Sequence, residues 1–161
     1  SLSARHLGDL AIGVYAAPQY IARNGLPAHP AALESAPHQV VGFLQSSSGR
    51  VLPCTLARGS ERLQVLGRYA IAVDDGNAYL AAGLAGLGAL WLPRYMAAPH
   101  LARGELVPLF EDWAIDPMPL YVAFAPNRHM GARLRVFIDW VVEMMQRHAP
   151  PAPGAVNPPR L

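Results

Sequence analysis

The chain has 161 residues, the size of about one globular domain, and its 52% hydrophobic content is enough to bury a core. Charged residues make up only 15% of the sequence, so the composition excludes an intrinsically disordered chain. All 13 basic residues are arginines scattered along the chain, and the formal net charge is only +2. This argues against nucleic-acid binding by the chain itself.

Short apolar runs, separated by proline, glycine and polar turns, predict strands that alternate with helices. In chain order, we predict strand 10–16, helix 18–23, helix 29–34, strand 39–44, strand 54–56, strand 63–65, strand 69–73, helix 76–87, strand 89–92, helix 95–103, strand 106–110, strand 120–124 and helix 129–147. This alternation indicates an α/β architecture. Residues 150–161 hold five prolines in twelve positions, which predicts a Pro-rich flexible tail over 149–161.

The helix over residues 129–147 has the clearest periodicity. Apolar residues recur on one face at helical spacing, at Met130, Leu134, Phe137, Ile138, Val141 and Met145. Arg135 with Asp139, and Glu143 with Arg147, are predicted ion pairs one turn apart on the remaining surface. Elsewhere, Pro99 is expected to kink or interrupt its helix, and Pro108 to place its strand at a sheet edge.

The single cysteine, Cys54, excludes an internal disulfide and fits a reducing compartment. It lies in the apolar run at residues 51–56, so we interpret it as a small buried hydrophobe. A redox sensor would need an activating cation or a resolving cysteine. The uncharged run at residues 78–93 is shorter than the roughly 20 residues of a membrane span, so we predict a buried helix and strand there.

Two further patterns have both a chemical and a structural interpretation. Gly83, Gly86 and Gly88 form GxxGxG, the reverse of the dinucleotide fingerprint, and they end a helix instead of opening one. Helix termination and close packing therefore explain them better than phosphate binding. Asp74 and Asp75 could form a metal or acid/base pair, but adjacent carboxylates after a strand more often cap the next helix.

The remaining polar residues give no catalytic or metal-binding constellation. The six histidines are scattered singly, and the sequence contains no HxH, HExxH or CxxC pattern. Ser46, Ser47 and Ser48 lack a GxSxG context, and they are either a polar loop or hydroxyl donors at a ligand cleft. We therefore predict no metal, no cofactor and no enzymatic activity.

Three segments resemble the LysR-type transcriptional regulators. VDDGNAYLAAGLAGLGALWLP, at residues 73–93, is similar to the VNDGxALLxAAxAGLGIALLP segment of that family's effector-binding domain. LGDLAIGVYAAPQY, at residues 7–20, resembles LxVxASPxYL, and PNRHMGARLRVFIDWV, at residues 126–141, resembles PxxRHxxxRxRAFIDFL. The resemblance implies a small-molecule effector-sensing domain of a bacterial regulator. The DNA-binding helix-turn-helix and the first part of the effector domain are then expected upstream of Ser1.

The resemblance also implies the fold, a type 2 periplasmic-binding-protein-like α/β structure with two lobes joined by crossing strands and a ligand in the interlobe cleft. On this template, residues 1–148 are a partial effector-binding domain. Its incomplete first lobe would be 1–16 and 123–148, and its second lobe 17–122. Without its upstream strands, the first lobe is expected to pair with a neighbouring chain or to be weakly stable.

The same template implies the effector-binding residues: Ala16, Ala17, Pro18, Leu44, Gln45, Ser46, Asp74, Asp75 and Gly76. Helix N-termini suit carboxylate effectors. However, Asp74 stands where the family commonly has Asn, and Ala17 stands where it often has Ser. Both departures favour a less anionic effector.

The template further implies a homodimer or higher homo-oligomer. Its interface would be the small-residue face of the helix over 76–87, formed by Ala78, Ala81, Ala82 and Ala85. The other interpretation of this helix is packing on the sheet, which Leu80, Leu84 and Leu87 are predicted to make. DNA contact is expected only through the absent N-terminal domain, in a cytoplasmic protein without membrane contact. The alternative to a regulator is a fragment of a type 2 periplasmic-type solute-binding protein.

Overall fold

The computed structural model describes residues 3–124 and 131–148. Its chain divides into two compact units, which are described separately. The sheet unit is Ile12–Asp116, and the terminal unit combines Ser1–Ala11 with Pro117–Leu161. The lobe boundaries that the family resemblance implies, after residues 16 and 122, stay a prediction.

The described elements follow the predicted order, with shifts at their ends. In chain order they are β1 (Ser3–Leu10), β2 (Ile12–Ala16), α1 (Pro18–Asn24), a 3-10 helix (Pro30–Glu34), β3 (Val40–Gln45), β4 (Arg50–Val51), β5 (Cys54–Arg58), β6 (Glu61–Val65), β7 (Tyr69–Val73), α2 (Gly76–Leu84), β8 (Leu90–Pro93), α3 (Arg94–Ala102), β9 (Val107–Leu109), β10 (Ala114–Ile115), β11 (Met118–Phe124) and α4 (Ala132–His148). The predicted strand over 10–16 is interrupted at Ala11, β1 precedes it, and β4 and β10 were not predicted. Pro99 lies inside α3, which continues to Ala102.

Four strands of the sheet unit run in the same direction. β3 is parallel to β7, and a parallel bridge from Val40 to Ala89 joins β3 to the start of β8. β2 lies between β8 and β9 and is antiparallel to both, which leaves β9 at an edge as Pro108 predicts. Hence β3, β7, β8 and β9 all run the same way. We call the side of the sheet where these four strands end the carboxyl edge.

The sheet unit has a buried core on each face of this sheet. Successive side chains of β2 point to opposite faces of the sheet, so Val14 belongs to one core and Tyr15 to the other. Cys54 is buried in the first core, and burial raises the pKa of its thiol to about 12. The interpretation of Cys54 as a small buried hydrophobe is confirmed.

The glycines between α2 and β8 are required by backbone geometry. Gly86 has a φ of 72°, a left-handed conformation that ends the helical turn. A Cβ on Gly88 would lie 2.5 Å from the carbonyl carbon of Val40, so only glycine lets this segment pass against β3. The prediction of helix termination and close packing is confirmed.

In the terminal unit, β1 pairs antiparallel with β11, and α4 packs against β1. Arg5 donates a hydrogen bond to Asp139 at 3.0 Å, so the predicted pair of Asp139 with Arg135 is wrong. The reason is that the cross-element partner on β1 is within reach of the carboxylate. The predicted pair of Glu143 with Arg147 is confirmed.

The predicted apolar stripe of α4 is only partly covered. Ile138 is fully buried, whereas Phe137 is 53% exposed. Met130 and the predicted tail over 149–161 lie outside the described residues.

Candidate functional site

The carboxyl edge brings together the segments that follow four strands. Crevices outside the carboxyl ends of strands are where open α/β sheets bind ligands. The residues at or just after these strand ends are Leu44, Gln45 and Ser46 after β3, Asp74, Asp75 and Gly76 after β7, Arg94 after β8, and Phe110 and Glu111 after β9.

Six of the nine predicted effector residues, from Leu44–Ser46 and Asp74–Gly76, therefore lie at this edge. Ala16, Ala17 and Pro18 lie at the opposite edge, because Ala16 pairs with Val107 at the start of β9. Ala16 and Ala17 are also buried. The structure does not bring these three residues together with the other six, and the reason is the antiparallel direction of β2.

One residue of the acidic pair, Asp75, performs the predicted capping role. Asp75 Oδ1 accepts hydrogen bonds from the backbone N–H groups of Asn77, at 3.0 Å, and Ala78, at 2.8 Å. Asp74 is exposed and has no hydrogen-bond or ion-pair partner among the described residues. Because the Asp75 carboxylate already occupies the free N–H groups of α2, an anionic ligand would have to displace it.

The serine run forms an exposed turn after β3. Ser48 Oγ donates to Gln45 Oε1 at 2.9 Å and accepts from the backbone N–H of Arg50 at 3.3 Å. Ser48 therefore has a structural role within the turn. A role for Ser46 as a hydroxyl donor at a ligand cleft stays a prediction.

A cavity of about 420 Å³ lies between β2, α3 and the segment that follows β9. The apolar part of its wall includes Val14, Leu101, Leu109 and Trp113. Three polar side chains, those of Tyr15, Arg94 and Glu111, line the same cavity. We call this space the edge cavity, since Arg94 and Glu111 belong to the carboxyl edge.

Tyr15 and Gly13 both line the edge cavity, and the Tyr15 hydroxyl lies next to Gly13. A Cβ on Gly13 would lie 2.3 Å from this hydroxyl, so the tyrosine side chain lies directly over Gly13. The hydroxyl has no hydrogen-bond partner among the described residues. In the same residues, every fully buried side-chain oxygen has a hydrogen-bond partner. The Tyr15 hydroxyl is therefore accessible to solvent, although the residue is only 4% exposed.

The charges around this hydroxyl have opposite signs. Burial raises the pKa of Tyr15, and by smaller amounts Arg94 lowers this pKa and Glu111 raises it. The hydroxyl is thus protonated at neutral pH and can donate to a ligand. Arg94 and Glu111 are both exposed, and neither forms an ion pair or hydrogen bond within the described part of the chain.

The turn that carries Glu111 has an unusual backbone. Phe110 has a φ of 55°, which bulky residues rarely adopt, and such conformations concentrate at functional sites. The Phe110 carbonyl accepts a hydrogen bond from the Trp113 N–H at 2.9 Å, which closes the turn and fixes Glu111 between them.

A second, more open cavity of about 620 Å³ lies beside Ala17 and Pro18. Its charged residues already satisfy each other. Arg103 donates to Glu105 at 2.9 and 3.0 Å, and the Nδ1 of His100 lies 2.6 Å from Glu105 Oε2. These hydrogen bonds lower the pKa of Glu105 to about 2. The edge cavity, with its unpaired charges, is the better candidate for a ligand site.

Sequence reasoning missed Gly13, Tyr15, Arg94 and Glu111. A glycine inside an apolar strand can mark the close approach of another group, which was the available signal for Gly13. Glu111 directly follows a predicted strand and Arg94 is two residues beyond another, but their presence in one cavity depends on how β2 pairs with β8 and β9.

In residues 3–124 and 131–148, no three histidine, cysteine, aspartate or glutamate side chains are grouped so that they could hold a metal ion. In the same residues, no helix has both the length and the apolar character needed to cross a membrane. The described histidine side chains make local contacts instead, His6 with Asp9, His29 with Glu61, His38 with Tyr20 and His100 with Glu105.

The predicted dimer residues separate into two groups on α2. Ala78, Ala81 and Ala85 are exposed, whereas Ala82 is buried in the core and cannot share their surface. Leu87 is 41% exposed because α2 ends before it, so the prediction that Leu87 packs on the sheet is wrong. An intersubunit role for the exposed alanines stays a prediction.

Comparison with known proteins defines the class of this protein. The family model of the LysR substrate binding domain matches residues 1–146. The chain therefore belongs to the LysR substrate-binding-domain family, and the resemblance seen in the sequence is confirmed.

The relatives are regulators of transcription. HTH-type transcriptional regulator CrgA of Neisseria meningitidis serogroup C is 31% identical over an alignment of 147 residues, which covers 88% of this chain and 46% of CrgA. The uncharacterized HTH-type transcriptional regulator YcaN of Escherichia coli is 36% identical over an alignment of 142 residues, which covers 85% of this chain and 45% of YcaN. The chain thus spans about half the length of the curated relatives that it matches.

Solved structures confirm the fold. The regulatory domain of CrgA matches with a TM-score of 0.71 at 28% identity, covering 89% of this chain and 68% of that domain. Full-length AphB, a virulence activator of Vibrio cholerae, matches with a TM-score of 0.72 at 27% identity, covering 89% of this chain and 48% of AphB. The periplasmic-binding-protein-like α/β fold is therefore confirmed, and the solute-binding-protein alternative is not favoured.

Proposed function

We propose that this chain is the effector-sensing part of a LysR-type transcriptional regulator and that it binds a small molecule at the carboxyl edge of the sheet unit. The observation that carries this proposal is the family match over residues 1–146, together with regulatory domains as structural neighbours. The edge cavity supports it with a hydroxyl and two charges on apolar walls. Gln45 and Ser46 would contribute from the same edge.

In the whole protein, ligand binding would control DNA binding by a helix-turn-helix domain outside this chain. The regulator would act in the cytoplasm as a homodimer or higher homo-oligomer, with Ala78, Ala81 and Ala85 of α2 at the subunit contact. The ligand can shift DNA binding only if it binds two states of the protein with different affinity.

The test is a thermal-shift screen of small carboxylic acids, aromatic compounds and amino acids, on this chain and on the whole regulator. A ligand at 100 times its Kd should stabilise the folded state by about 2.7 kcal/mol. Each hit is then added to a gel-shift assay of the whole regulator on the promoter DNA of its own gene. Hits that change DNA affinity support the proposal. A whole protein that binds no promoter DNA, or whose DNA affinity no hit changes, contradicts it.

A further inference from the structure

We propose that the edge cavity selects a small amphipathic zwitterion, such as a free amino acid with an apolar side chain. Its carboxylate would bind Arg94 and the Tyr15 hydroxyl, and its ammonium would bind Glu111. This inference rests on the proposed function, because it names the class of ligand at that same site.

The opposite charges of Arg94 and Glu111 favour a ligand that has both charges. Arg94 and Glu111 line one cavity, and neither has an ion-pair partner among the described residues. A purely anionic ligand would pair with Arg94 but would be repelled by Glu111, and a purely cationic ligand would meet the reverse arrangement. A molecule with both charges satisfies both side chains at once.

The Tyr15 hydroxyl decides which end of the ligand lies where. Within the described part of the chain this hydroxyl has no partner, so a ligand that covers it must supply an acceptor. A carboxylate oxygen can accept from the hydroxyl and from Arg94, whereas an ammonium group has no acceptor. Gly13 provides the space in which the hydroxyl lies, since any Cβ there would collide with it.

The walls and the volume set the limits on the rest of the ligand. Trp113 is held by the Arg58 guanidinium, 4.5 Å from its ring centroid, and by an edge contact with His29 at 5.1 Å. The Trp113 ring adds an apolar surface to the cavity wall, and this surface favours a hydrophobic ligand side chain over a charged one. The volume of about 420 Å³ lies in the lower part of the range of about 300–1,000 Å³ that is usual for small-molecule sites.

The first experiment compares whole and half ligands by isothermal titration calorimetry on the full chain. The probes are L-phenylalanine, 3-phenylpropanoate and 2-phenylethylamine, with L-leucine, 4-methylpentanoate and 3-methylbutylamine as a second series. We expect at least one amino acid to bind about 10-fold more tightly than either of its half ligands. Equal or tighter binding of a half ligand, or no binding of any amino acid, overturns the proposal.

The second experiment assigns each charge. Arg94→Gln should weaken amino-acid binding about 10-fold and remove the advantage of the amino acid over the amine. Glu111→Gln should weaken amino-acid binding while leaving carboxylate binding unchanged or tighter. The matched controls Arg68→Gln and Glu34→Gln change exposed residues of the same unit outside the cavity, and they should bind as the parent chain does.

The melting temperature of each unliganded variant shows whether it is folded. Tyr15→Phe removes only the hydroxyl group, so it is the variant with the smallest change of shape. If Arg94→Gln and Glu111→Gln bind amino acids as the parent does, the proposal fails. The proposed function and the proposal of a zwitterionic ligand can be contradicted independently of each other. If an uncharged or purely acidic compound changes DNA binding of the whole regulator and amino acids do not bind, only the proposal of a zwitterionic ligand is overturned.

Discussion

Single glycines determine where chain segments can approach each other in the sheet unit. Gly13 leaves room for the Tyr15 hydroxyl, and Gly88 lets the segment before β8 pass against the backbone of β3. At Gly88 the nearest atoms are backbone atoms of Val40 and Val41, which cannot rotate away as a side chain can. The first glycine therefore shapes the candidate site, and the second allows the sheet to assemble.

Gly88→Ala tests the second role. The added methyl group would lie 2.5 Å from the Val40 carbonyl carbon, so β3 and the segment before β8 must separate. We expect a loss of about 1–3 kcal/mol in the free energy of unfolding, measured by urea denaturation. The control Gly76→Ala has no atom within 4 Å of its new Cβ and should not destabilise the chain. Equal stability of the two variants would contradict the close-packing explanation.

Glu105 gives a prediction of pH dependence. Hydrogen bonds from Arg103 and His100 lower its pKa from 4.5 to about 2. A lowered pKa in the folded state means that the carboxylate stabilises the fold above pH 4.5, and that this contribution disappears as the pH falls towards 2. Melting curves of the parent and Glu105→Gln should differ most above pH 4.5 and converge on acidification. A carboxyl titration by NMR with a midpoint near 4.5 would contradict the assignment.

At the scale of elements, local signals in the sequence were sufficient for most strands and helices. Pro18 and Gly25 mark the two ends of α1, and Asp75 marks the start of α2, because capping and turn preferences depend on a few neighbouring residues. The direction of β2 within the sheet depends on contacts far along the chain. For that reason the sequence grouped Ala16–Pro18 with Gln45 and Asp75 in one site, whereas the structure places Ala16 at the opposite edge.

The cap of α2 is the prediction that belongs to this scale. Asp75→Ala removes the acceptor for the N–H groups of Asn77 and Ala78, and it should cost about 1 kcal/mol of stability, within a range of about 0.5–2. Asp74→Ala is the matched control, since Asp74 has no partner among the described residues. Urea denaturation of both variants measures the difference. A larger loss for Asp74→Ala would show that the wrong carboxylate has been assigned to the cap.

At the scale of the whole molecule, the two units differ in how much apolar surface they cover. The sheet unit has a core on each face of its sheet. In the terminal unit, Val136, Phe137 and Trp140 on α4 are 67%, 53% and 56% exposed. Within the described residues, β1 and β11 pair only with each other. Two strands and one helix bury little surface, so the terminal unit should have the lower local stability.

Hydrogen exchange followed by mass spectrometry tests this difference. Amides of β1 and β11 should exchange at least 10-fold faster than those of β3 and β8, because opening the terminal unit exposes less additional apolar surface. The ion pair between Arg5 and Asp139 is exposed and contributes little against this opening, so Arg5→Gln should leave the pattern nearly unchanged. Phe137→Gln with Trp140→Gln should reduce any self-association through this face, as seen by analytical ultracentrifugation. Equal protection of the two units in the monomer would mean that they unfold as one cooperative structure.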